Sequence, residues 1–112
     1  PSAPRFNQTG GEKPDVARDS DGIAIGGVRT PVVDAPVDVL SSVTAPKPST
    51  ICMLLGSTTP LSPARIAERY TSRDDYLQQF TRYTDSVIEA GWVLPEDRAA
   101  VLALAHPERI TK

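Results

Sequence analysis

Arg29 has the setting best suited to chemistry. Gly26-Gly27 before it permit close backbone approach and Pro31 after it stiffens the chain, so a guanidinium fixed there can clamp a carboxylate through charge-assisted bonds. Two roles stay open for Arg29 and its neighbour Thr30: lining a substrate site, or anchoring this segment to another surface. The backbone pattern favours the anchor. Nucleophilic hydrolysis needs a Ser on a strained strand-to-helix turn, a base His and an acid that orients it. The sequence holds no G-x-S-x-G. Ser57 follows the apolar run 51–55, read as a strand, but Pro60 and Pro63 delay any helix after it. His106, the single His, stands beside Pro107 at a helix end, where a favourable interaction with the helix dipole is the simpler role. No catalytic residue is assigned.

Metal and phosphate chemistry fare no better. Asp15, Asp19 and Asp21 supply clustered carboxylates of the kind hard cations take, yet Ile23 falls where a further ligand belongs and no bidentate Glu closes the loop. An Asx-type turn at Asp19-Ser20-Asp21-Gly22 accounts for the same residues. Thr9-Gly10-Gly11-Glu12-Lys13-Pro14 lacks both the ligand set of a zinc site and the spacing of a phosphate loop, and reads as a flexible turn. One Cys excludes an internal disulfide or a thiolate cage, and Cys52 inside Ile51 to Leu55 is expected to be a buried small hydrophobe. Arg65, Arg69 and Arg73 interleave with Glu68, Asp74 and Asp75, the pattern of a solvated face or of interface salt bridges. Neither a cofactor nor a metal is expected.

The elements that must position these residues differ between the halves of the 112-residue chain. Of 11 prolines and 7 glycines, all but Pro63, Pro95, Pro107 and Gly91 fall in residues 1–60. That half is expected to be an extended arm: a surface-hugging stretch over 1–17, then β-branched clusters at 23–25, 28–33 and 36–40 cut by Pro and Gly, each an edge strand or a strap. A polar loop with Pro46-Lys47-Pro48 follows, and residues 56–60 close the apolar run with turn residues. Ordering such an arm costs roughly 1–2 kcal/mol per backbone residue, so it is expected to need another body to lie against. Residues 61–112 are helical in pattern. Ser62-Pro63 starts a helix over about 63–70; Ser72 and Asp75 approximate a capping box for one over 73–90, with Tyr76, Leu77, Phe80, Tyr83, Val87 and Ile88 on one face and Gly91 as its left-handed stop. Pro95 starts a third over 95–105. The apolar stripe of the middle helix exceeds what one short partner covers, so part of it is expected to face a body outside this chain.

With 12 basic and 14 acidic residues the net charge is −2, which argues against nucleic acid or an anionic membrane as main partner. No apolar run approaches the ~20 residues of a membrane span.

The succession Asp19-Ser20-Asp21-Gly22, Gly26-Gly27-Val28-Arg29-Thr30-Pro31-Val32-Val33-Asp34-Ala35-Pro36-Val37, Leu55-Gly56-Ser57-Thr58-Thr59-Pro60-Leu61, Tyr76 to Phe80 and Ala90-Gly91-Trp92-Val93-Leu94-Pro95-Glu96-Asp97 resembles the C-terminal region of bacterial alpha/beta hydrolase domain proteins. The resemblance covers essentially the whole chain. It implies that these residues are the tail of a much longer Ser hydrolase, a strap and a helical cap, with the nucleophile elbow and catalytic His before Pro1. The combined expectation is an α+β fold fragment: an arm over 1–60 with short edge strands, and a three-helix assembly over 61–112. Its expected role is a non-catalytic part of an enzyme whose upstream core cleaves an ester or related acyl bond, the core being the partner. The alternative is a free-standing interaction subunit that wraps a separate partner chain.

Overall fold

The structure, a computed structural model, describes residues 2–42 and 49–111 apart from the side chain of Cys52. The loop expected at Pro46-Lys47-Pro48 and the burial expected of the Cys52 thiol therefore lie outside the described residues. The fold is α+β: one long helix and several short ones with a two-stranded antiparallel sheet. Its residues form two compact units that do not divide the chain at one point, because 28–37 join 61–112 while 1–27 join 38–60.

In the first unit the arm pairs with itself. Extended passes through residues 5–9, 15–19 and 23–27 each meet both of the others at single antiparallel bridges, Phe6 with Gly26, Gln8 with Val16 and Arg18 with Ala24. Backbone bonds from Asn7 N–H to Ile25, Ala17 N–H to Asn7 and Ile25 N–H to Ala17, at 2.8–2.9 Å, knit the three passes. Asp19 makes the tight return possible: its Oδ1 accepts the N–H groups of Asp21 and Ile23 at 2.9 and 3.0 Å, and Gly22 takes φ +87°. Gly26, at φ +88°, lies so close to the first pass that a Cβ there would be 2.6 Å from the Arg5 carbonyl oxygen. The surface-hugging stretch expected over 1–17 thus satisfies much of its backbone by pairing within the arm.

The same unit holds β1 (Asp38–Ser41) antiparallel to β2 (Ser57–Pro60), registered from Asp38 with Pro60 to Ser41 with Ser57. Two expectations are corrected here. The apolar run read as a strand is helical, in Thr50–Leu55, and the residues read as a closing turn form β2. A short run without alternation has no period to specify a strand, and Leu and Met favour a helix; Thr58 and Thr59 are β-branched and suit a ladder.

In the second unit, α1 (Pro31–Asp34) replaces the strand expected across 28–33. Pro31 sits at the first helical position with its fixed φ, and the Thr30 carbonyl accepts the N–H groups of Val33 and Asp34 at 3.0 and 3.1 Å. This local geometry outweighs the strand preference of Val32 and Val33. The helix in Thr50–Leu55, in the first unit, is α2. Ser62 caps α3 (Pro63–Arg69) by accepting the Arg65 N–H at 3.2 Å. Ser72 caps α4 (Arg73–Glu89) by accepting the Asp75 N–H at 3.0 Å, while the Asp75 carboxylate accepts the N–H of Thr71 at 3.0 Å, one residue further out than in a standard capping box. Gly91, at φ +83°, ends the helix.

The expected third helix is shorter: a 3-10 turn at Pro95–Asp97, then α5 (Arg98–Leu102). The N–H groups of Leu104 and Ala105 bond three residues back as the chain tightens toward His106, which precedes Pro107 and is barred from the helical region. A second 3-10 turn, Pro107–Arg109, follows.

The unit's core contains Ile66, Tyr70, Tyr76, Phe80, Val87 and Ile110 with Ala35 and Val37. The Tyr70 and Tyr76 rings meet edge to face, 5.0 Å apart, and Tyr76 leans on Phe80 at 5.9 Å. Buried Thr84 satisfies its hydroxyl by donating to the Phe80 carbonyl at 2.8 Å. The α4 stripe expected to seek an outside body is thus covered at Tyr76, Phe80 and Val87 within its own unit; Leu77 stays exposed. No helix among the described residues is long and apolar enough to cross a membrane.

Candidate functional site

Residues 28–37 run as a strap on the helical unit, and Arg29 lies at its start. The guanidinium converges on one oxygen of its own chain, Nε and Nη2 standing 2.8 and 2.7 Å from Asp34 Oδ1, with both side chains partly buried. Asp34 reaches this position because α1, begun by Pro31, turns the chain back within one helical turn. A guanidinium so held is neutralised locally and fixed in direction. Thr30 is the N-cap of α1, makes no side-chain capping bond, and contributes its carbonyl.

Beyond α1 the strap is tied through backbone carbonyls. The buried Tyr70 hydroxyl donates to Pro36 O at 2.8 Å, and burial pushes the phenol well above its ordinary pKa. The Val37 carbonyl accepts both the Leu61 N–H at 2.9 Å and an Arg109 guanidinium N–H at 3.1 Å. Sequence reading missed Asp34, Tyr70 and Arg109. Only Asp34 left a signal, a carboxylate five residues after Arg29 across a proline-started turn; the other two partners are 34 and 72 residues from the carbonyls they bind.

The remaining chemical candidates divide between the two units. Ser57 opens β2 in the first unit, whereas His106 belongs to the second. The His106 N–H donates to the Tyr76 hydroxyl at 2.9 Å, and its Nδ1 lies 2.8 Å from Glu108 Oε1 in an exposed pair. Glu108 is held below the usual carboxylate range by its own backbone N–H and then by His106. Arg98 grips Asp85 with two bonds of 2.6 and 3.1 Å, lowering the Asp85 pKa and raising its own. A depression of about 680 Å³ along the outer face of α4, lined by Asp74, Leu77, Arg82, Asp85 and Glu89 among others, mixes charges of both signs. Among the described residues no group of three or more His, Cys, Asp or Glu is placed to hold a metal ion. Asp19 Oδ1 of the acidic trio is engaged by backbone N–H groups. The arrangement suits holding backbone in place.

A family model described as alpha/beta hydrolase domain matches residues 1–103. No curated protein and no solved structure matches the chain.

Proposed function

The chain belongs to the alpha/beta hydrolase domain family, and from that membership we infer that it is a non-catalytic, C-terminal part of a hydrolase whose upstream core cleaves an ester or related acyl bond. In such a core a Ser attacks the carbonyl carbon, a His takes its proton and returns it to the leaving group, and backbone N–H groups hold the oxyanion. The residues described here serve that core as scaffold. The observation that carries this reading is the family match over 1–103 to a sequence without G-x-S-x-G, in which Arg29, the best candidate for substrate, pairs with the chain's own Asp34.

A chromogenic short-chain ester supplied to this chain alone and to the longer parent is the test. The parent is expected to turn it over and this chain is not. Turnover by this chain, abolished by Ser57→Ala or His106→Ala, would overturn the reading.

A second reading is a free-standing interaction subunit that wraps a separate partner chain: the backbone pairing among residues 5–9, 15–19 and 23–27 supports the free-standing part and bears against the wrapping, because those backbone groups are already paired within the chain. Intact mass of natural material separates the two: a small polypeptide with its own initiator Met favours the subunit, and a full-length hydrolase favours the first reading.

A further inference from the structure

We draw no further inference here: the strongest candidate, the exposed apolar surface of α2 between the paired strands β1 and β2 (Ile51, Met53, Leu54 and Leu55), is an unpartnered face, and nothing in the structure shows what covers it.

Discussion

The phenolic hydroxyl of Tyr70, at the C-cap of α3, donates to the carbonyl of Pro36 across 34 residues of sequence, in a setting where Tyr70 is 1% exposed. A buried acceptor that loses its donor incurs its full desolvation cost, so this bond fixes where the strap leaves α1.

Tyr70→Phe keeps the ring and its edge-to-face contact with Tyr76 but leaves Pro36 O unsatisfied. Chemical denaturation of the full chain is expected to show a loss of about 1–3 kcal/mol. A variant as stable as the parent would mean that the strap draws nothing from this bond.

The same phenol predicts an alkaline limb. Burial raises its folded pKa above the unfolded value near 10, so above about pH 10 the unfolded chain releases a proton that the folded chain keeps. The contribution is complete below that pH and is lost as pH rises through the raised folded value. Denaturation curves at pH 8 to 11 are expected to fall more steeply for the parent than for Tyr70→Phe.

At the acid end the sign reverses. The Thr71 N–H first, then Gln79, lowers Asp75; the Arg98 guanidinium lowers Asp85. The stability each adds is present above the unfolded value of about 4 and is lost as pH falls through the lowered folded value. Carboxyl resonances followed by NMR are expected to titrate below the usual range in both, and Asp85→Asn is expected to reduce the acid dependence of unfolding. A normal midpoint for Asp85 would contradict the bidentate pairing.

For Arg29, lysine offers one ammonium where two guanidinium nitrogens converge on Asp34. Arg29→Lys is expected to cost about 1 kcal/mol, and a double-mutant cycle with Asp34→Asn to return most of it as coupling. In the longer hydrolase proposed above, turnover per folded molecule is expected to stay unchanged. A normal melting curve with a selective loss on carboxylate-bearing substrates would assign Arg29 to substrate instead.

Gly26→Ala tests the self-pairing of the arm. Left-handed backbone and the Arg5 carbonyl 2.6 Å from the added methyl are together expected to cost about 1–3 kcal/mol locally, read as faster amide exchange at Asn7 and Gly27. Gly10→Ala, with nothing within 4 Å of its Cβ, is the control and is expected to leave those amides unchanged.

What could be read from the sequence is what is encoded locally. Ser62-Pro63, Ser72 with Asp75, Gly91 and Asp19 to Gly22 each satisfy backbone groups within a few residues, and each does in the structure what its spacing requires. The setting of Arg29 was legible, and the signal of its carboxylate, Asp34 five residues on across a proline-started turn, was masked by the strand preference of Val32 and Val33. The apolar run 51–55 carried no period with which to choose helix over strand. Part of the cover on α4 was invisible for another reason: it comes from α1 and from the 3-10 turn at Pro107–Arg109, and no local pattern reports a contact over such distances.

The two hydrogen bonds on Val37 O have a consequence during synthesis. Arg109 is 72 residues downstream of Val37, so at ribosomal rates of about 5–20 residues per second the strap waits about 4–15 s for this guanidinium to be made. The helical unit, assembled from two separate stretches of chain with Ile110 in its core, closes only after residue 110 has been made. Until then α4 has the earlier-made α1 and Tyr70 against it but lacks the 3-10 turn at Pro107–Arg109.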